Sequence, residues 1–194
     1  MESDKVGRLI ADLRKEKGFT QKELADRMNL SDRTISKWER GQGMPDVSLL
    51  PELSALLGVN IEELLGGELA VNEFVGGNMK KSSYFVCPSC NNIVMSTGSA
   101  TVSCCGRKLE ALEPKKATDE EKLIVSEVDG EWFISSDHPM EKEHYISFVA
   151  FAEGGQVRIL KQYPEWEMQA RLPKRRHGML LWYCTQHGLF YQYL

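Results

Sequence analysis

The stretch FTQKELADRMNLSDRTISKWERG, Phe19 to Gly41, decides how the N-terminal third of the chain folds. Thr20 precedes Glu23 by three residues, the spacing of a capping box in which each side chain satisfies a free amide at a helix start. Ser31 opens a second helix, and Gly41 closes it as a left-handed C-terminal residue. Ala25, Leu30, Ile35 and Trp38 fall on faces that pack together, leaving Asp32, Arg33, Thr34 and Lys37 outward. The short MNL connection gives the pair the proportions of a helix-turn-helix, whose second helix lies in the DNA major groove.

On the N-terminal side, VGRLIADLRKEKG places Val6, Ile10 and Leu13 at helical spacing and stops at Gly18. PDVSLLPELSALLG and NIEELLGG supply two more short apolar helices, which predicts an all-α five-helix domain over residues 1–66. Residues 67–83 are rich in Gly and polar side chains and read as a linker. Beyond them the apolar period falls from about 3.6 to 2. LIVSEVDGEWFIS and HYISFVAFAEGGQVRILKQY each carry a Gly turn between β-rich runs, so the C-terminal part is mostly strands. The expected fold class is an α + β multidomain chain.

With 194 residues, 42% hydrophobic and 27% charged, the chain is ordinary globular material. A formal net charge of -4 excludes a wholesale basic protein, so any nucleic-acid contact must come from local placement of charge. The start MESDKVGRLI has no apolar signal region and no apolar run approaches ~18 residues, which predicts a cytoplasmic protein without membrane contact. Five cysteines in a reducing compartment point to metal or redox chemistry before disulfides.

Four of those cysteines form two tight pairs, Cys87 and Cys90 in CPSC, then Cys104 and Cys105 in SCCG. A vicinal pair is a poor disulfide, whereas four thiolates around one ion suit zinc or mononuclear iron. The fifth, Cys184, stands three residues before His187 in YCTQHGLF, and HPMEKEHYISF carries His138 and His144 upstream. Three imidazoles and one thiolate converging from separate loops make a credible iron or zinc site.

The segment FTQKELADRMNLSDRTISKWERGQGMPDVSLLPELSALLGV resembles the phage repressor and Cro type, or XRE, family. That resemblance implies duplex DNA as a partner, Gln21 at phosphate and nearby bases, and Asp32, Arg33, Thr34 and Lys37 at base edges. Arg33 is suited to two bonds with guanine, and Arg40 stands where a phosphate contact is common. For each charged residue the alternative is a solvated helix face. A homodimer is expected.

The cysteine pattern over residues 84–113 resembles desulforedoxin, a rubredoxin-like knuckle, and residues 114–194 resemble a superoxide reductase domain. Together they resemble desulfoferrodoxin. The resemblance implies an iron held by Cys87, Cys90, Cys104 and Cys105, and a second iron held by equatorial His138, His144 and His187 with Cys184 axial. It also implies an immunoglobulin-like all-β sandwich. Lys122, after Glu121, stands where the family has a lysine thought to attract superoxide, but Leu123 occupies the position of a fourth histidine. His177, the remaining histidine, sits in a basic loop and is expected to be exposed.

The leading expectation is a DNA-binding transcriptional regulator whose C-terminal half binds metal and senses redox state, superoxide or metal supply. A superoxide reductase carrying a DNA-binding head is the alternative, and the lost histidine argues against efficient turnover. An antitoxin-like protein with structural metal sites is the third reading.

Overall fold

A computed structural model describes residues 2–72, 78–174 and 177–194, and the chain divides into compact units Met1–Val71 and Asn72–Leu194. The middle of the expected linker, 73–77, and Arg175 and Arg176 lie outside the described residues.

The described residues of the first unit form five α-helices: α1 (Glu2–Glu16), α2 (Gln21–Arg27), α3 (Asp32–Glu39), α4 (Leu50–Leu57) and α5 (Ile61–Gly66). The Thr20 hydroxyl accepts from the Glu23 amide at 3.1 Å, and the Thr20 amide donates back to Glu23 Oε2 at 2.7 Å, so the capping box forms in both directions. Ser31 Oγ accepts from the Thr34 amide at 3.2 Å at the start of α3. At its end Gln42 N reaches Lys37 O at 2.9 Å across Gly41, whose φ is 67°. Val6, Leu9, Ile10 and Leu13 form the buried stripe of α1 and meet Leu24, Ala25, Ile35 and Trp38 in one core with Leu53, Leu57 and Leu64. Gly7 lets α1 approach the end of α3: a Cβ there would lie 2.2 Å from Trp38 O.

Inside that core runs a charge network with no local sequence signature. Arg14, 8% exposed, donates from Nε to Glu39 Oε1 at 2.6 Å and from Nη2 to Glu39 Oε2 at 3.0 Å, and its Nη1 reaches Phe19 O at 2.6 Å. Gln21 Nε2 donates to Glu39 Oε2 at 2.7 Å. Burial opposes the Glu39 charge, but the Arg14 and Gln21 bonds outweigh it and hold the carboxyl below the usual carboxylate range.

The second unit is built of strands. After a 3-10 turn at Met79–Lys81, β1 (Ser83–Val86) pairs with β2 (Ile93–Ser96), and β3 (Val102–Cys104) pairs with β4 (Arg107–Leu109), each antiparallel. The remaining strands are β5 (Lys115–Lys116), β6 (Ile124–Val128), β7 (Glu131–Ser135), β8 (Ile146–Glu153), β9 (Gln156–Lys161), β10 (Gln169–Pro173), β11 (Met179–Cys184) and β12 (Gly188–Tyr193). They form a three-stranded sheet, β10-β7-β6, and a five-stranded sheet, β5-β12-β11-β8-β9. The Met79 amide donates to Gly154 O at 3.1 Å, so the last residues of the expected linker already rest on this unit.

Strand β8, ISFVAFAE, lacks a strict polar/apolar alternation because both of its faces are buried. Val149 and Phe151 point into the core between the two sheets, with Ile134, Leu172, Leu180 and Trp182. Phe148, Ala150 and Ala152 face the other way, onto Tyr84 and Val86 of β1. Register shifts between Tyr183 and Cys184, because Cys184 pairs with Ile146 while Tyr183 pairs with Phe148. Ser147 is the extra residue of a β-bulge, and it re-aims the chain just before the strand reaches Tyr145 and His144.

Candidate functional site

In the second unit the cysteine pairs sit at the tips of two hairpins. Cys87 and Cys90 belong to a turn in which Asn91 N donates to Cys87 O at 2.8 Å and Cys87 N donates to Asn92 O at 3.0 Å. Cys104 and Cys105 occupy the β3–β4 turn, whose central residues Cys105 and Gly106 have φ of 51° and 74°. Positive φ at both central positions is the geometry of a type I′ hairpin, and only the second carries the glycine that favours it. The four sulfurs lie within 4.8 Å of one another, with Cys90 and Cys104 3.6 Å apart.

The electrostatics of this cluster favour a cation. The Ser89 amide, assisted by that of Cys90, brings the Cys87 thiol down to about 6. Hydrogen bonding with the Cys90, Cys87 and Cys104 sulfurs pushes the Cys105 thiol up to about 12, and repulsion from the Cys104 charge adds to it. A positive ion at the centre would remove that repulsion and release the protons.

The second cluster gathers His138, His144, Cys184 and His187, again with ligand atoms within 4.8 Å. His138 lies in the loop after β7, its amide held by Ser136 Oγ at 3.0 Å. His144 is fixed by a two-way backbone bridge with Glu141, at 3.0 and 3.2 Å. Cys184 ends β11 and His187 precedes β12 in one tight hairpin. The amides of Gln186 and His187 point at Cys184 Sγ from 3.4 and 3.5 Å, and His187 Nδ1 stands 3.5 Å from the same sulfur. The imidazoles cross at 75°, 81° and 87°, so their edges converge on one region.

Both ring nitrogens of His138 and Nε2 of His144 are buried without a hydrogen-bond partner among the described residues. Orphaned polar atoms in such numbers are costly unless something else engages them, and neutral imidazole nitrogens beside a thiolate suit a transition metal. Burial pushes the His138 imidazole below its ordinary value, which keeps it neutral and able to ligate. The donor set therefore fits the iron or zinc that the sequence suggests.

A cavity of about 540 Å³ opens beside this cluster, lined by Asp119, Glu121, Lys122, Asp137, His138 and His187 among others. Glu121 is engaged: its Oε2 accepts from the Thr118 amide and hydroxyl, both at 2.8 Å, and the amide bond is the main cause of its lowered pKa. Lys122 Nζ is paired with Asp119 Oδ1 at 2.6 Å. Leu123 is 4% exposed and packs into the inter-sheet core, its amide donating to Gln192 Oε1 at 2.9 Å. The position where the resemblance implies a fourth histidine thus belongs to the apolar core. His177 is exposed, 3.1 Å from Leu194 O, and is no member of the cluster.

In the first unit Asp32, Arg33, Lys37 and Arg40 are exposed and Thr34 is half-buried against the Ser31 cap. Arg40 Nε folds back to Ser36 O at 3.1 Å, and the Asp32 carboxylate accepts from the Arg33 amide at 2.8 Å. Gln21, the expected phosphate contact, is half-buried and tied to Glu39. Sequence reasoning missed Arg14 and Glu39, the pair that orients it; a buried Arg and Glu far apart in sequence leave no periodic trace.

Fold and site define a helix-turn-helix protein joined to a cysteine-knuckle and histidine–thiolate β-domain. Residues 10–64 match the helix-turn-helix family HTH_3. The HTH-type transcriptional activator BcrR of Enterococcus faecalis is 42% identical over 59 residues, which is 30% of this chain and only 29% of that relative. The desulfoferrodoxin homologue of Archaeoglobus fulgidus is 31% identical over 116 residues, 55% of this chain and 92% of the relative. The crystal structure of the superoxide reductase from Treponema pallidum aligns with a TM-score of 0.48 at 18% identity, over 58% of this chain and 98% of that one. The chain belongs to the desulfoferrodoxin family and carries an XRE-type helix-turn-helix domain at its N-terminal end. No helix among the described residues is long and apolar enough to cross a membrane.

Proposed function

We propose that this protein is a sequence-specific DNA-binding regulator whose affinity for its operator responds to the metal or redox state of its desulfoferrodoxin-like region. The observation that carries the reading is the presence, in one chain, of a capped α3 with Arg33 and Lys37 exposed and a four-ligand cluster in which both ring nitrogens of His138 and Nε2 of His144 are buried without a partner among the described residues. Arg33 reads a base edge, Asp32, Thr34 and Lys37 flank it, and Gln21 and Arg40 position the helix on phosphates, in a homodimer that spans two half-sites.

Cys87, Cys90, Cys104 and Cys105 hold one ion and His138, His144, Cys184 and His187 a second, iron being the leading candidate and zinc the alternative at either. An iron bound by the second set supplies one-electron chemistry tuned by its thiolate. The chain's own contribution is to aim the Gln186 and His187 amides at Cys184 Sγ, which fixes the sulfur's position, and to lower the proton affinity of His138 by burial.

A superoxide reductase reading keeps support from one feature: Lys122 and Glu121 line the cavity beside His138 and His187. Against efficient turnover stand the Leu123 side chain in the core and the pairing of Lys122 with Asp119. The visible absorption spectrum of the iron-reconstituted full-length protein tests the metal assignment. Thiolate-to-iron bands from both sets of ligands, lost separately with Cys104→Ser and Cys184→Ser, are expected; a colourless protein with full zinc content refutes iron at both.

A further inference from the structure

Asn91, the residue after the Cys87–Cys90 turn, donates from Nδ2 to the Tyr145 hydroxyl at 2.7 Å. The partners are 54 positions apart, and neither is a candidate ligand. Each is fixed from its own side. Asn91 sits at φ 52°, a left-handed conformation that asparagine tolerates better than most residues, and its amide is bonded to Cys87 O at 2.8 Å. Its side chain is therefore aimed by the same turn that gathers Cys87 and Cys90.

Tyr145 is 7% exposed and follows His144 directly. Its amide donates to Thr185 Oγ1 at 3.2 Å, and the Thr185 amide donates to Tyr145 O at 3.0 Å. Thr185 Oγ1 also donates to Glu143 O at 3.0 Å, closing the clamp on the far side of His144. Thr185 follows Cys184 directly. One phenol thus touches the cysteine turn at its hydroxyl, while its backbone joins the segments that carry His144 and Cys184.

We propose that the Asn91–Tyr145 hydrogen bond is a positioning link between the clusters, so that ligation of the four-cysteine set tightens the histidine–thiolate set and the two fill cooperatively. The inference rests on the reading that both clusters hold metal. Ligation at the knuckle orders the turn and fixes Asn91; a fixed Asn91 restricts Tyr145; the segments of His144 and Cys184 then need less ordering when they close on an ion. Linkage makes the effect reciprocal. One neutral hydrogen bond sets its size at about 5- to 10-fold in affinity.

The test is an anaerobic titration of the full-length chain with cobalt(II), whose absorption bands differ between a tetrathiolate and a mixed imidazole–thiolate set, so both clusters are followed in one sample. In the parent, disabling the first cluster with Cys104→Ser and Cys105→Ser is expected to weaken the second about 5- to 10-fold. Asn91→Gly, which tolerates the left-handed backbone, and Tyr145→Phe are each expected to produce the same loss with the first cluster full, and to add nothing once that cluster is disabled. Asn91→Asp should retain the parent's value, because its carboxylate accepts from the Tyr145 hydroxyl. Parent-like affinity at the second cluster in both Asn91→Gly and Tyr145→Phe overturns the link while leaving metal binding intact. A parent that takes up no cobalt at one cluster overturns the metal reading, and this inference with it.

Discussion

Replacing Glu39 by Gln should unfold much of the N-terminal unit's margin of stability. Glu39 and Arg14 are joined by two hydrogen bonds of 2.6 and 3.0 Å, with side chains only 7% and 10% exposed. Removing one partner of such a buried pair leaves an uncompensated charge, at a cost of about 3–5 kcal/mol. A unit the size of Met1–Val71 has a total stability of roughly 4–10 kcal/mol at ~0.05–0.15 kcal/mol per residue. The helical melting transition, followed by far-UV circular dichroism, should therefore drop by at least about 12 °C. DNA binding should weaken with it, since the one remaining acceptor oxygen must serve both Arg14 and Gln21, which the two carboxylate oxygens share at present.

Replacing both partners, Arg14→Met with Glu39→Leu, should recover most of the loss because no charge is then stranded. Acid should act in the same direction as Glu39→Gln. The folded-state pKa of Glu39 is depressed, so its contribution is full above the ordinary carboxylate value of about 4.5 and disappears as pH falls through the lower folded value. A Glu39→Gln protein that melts within a few degrees of the parent, or a double variant no better than the single, would refute the reasoning.

Arg33→Ala should relax base preference by ~1–3 kcal/mol at one position, whereas Arg40→Ala should weaken all sequences alike and flatten the salt dependence; footprinting at several salt concentrations separates the two. Cys104→Ser with Cys105→Ser should release one metal ion per chain by elemental analysis and loosen the hairpins at its cluster, since metal binding there contributes folding free energy. Leu123→His should not supply a ligand. It replaces a side chain 4% exposed in the inter-sheet core by an unpaired imidazole, at a cost of ~2–5 kcal/mol read as a lower melting point of the C-terminal unit with unchanged metal stoichiometry.

Features with a local signature were legible in the sequence. Thr20 and Glu23 announce their helix start by spacing alone, and the hairpin at Asp129 and Gly130 by its turn residues. The paired cysteines could be grouped by their spacing, and the three histidines with Cys184 through the resemblance to superoxide reductases; both groups converge in space. What escaped depends on distant partners. Arg14 and Glu39 are 25 residues apart, and nothing near either distinguishes a buried pair from solvated helix charges. The Ser147 bulge follows from a mismatch between β8 and β11 that neither strand shows by itself. Leu123 could be read as a missing ligand, but its place in the core follows from Gln192, whose side chain grips its backbone at 2.9 and 3.3 Å from 69 residues away.

In the function proposed here, the desulfoferrodoxin-like region governs DNA affinity rather than turning over superoxide. The decisive measurement is a titration of the full-length protein with operator DNA in its metal-free, reduced and oxidised forms, alongside stopped-flow superoxide decay on the same samples. The expected result is an affinity that changes with metal or oxidation state and little catalysed decay. Rapid decay with an operator affinity identical in all three forms would contradict it.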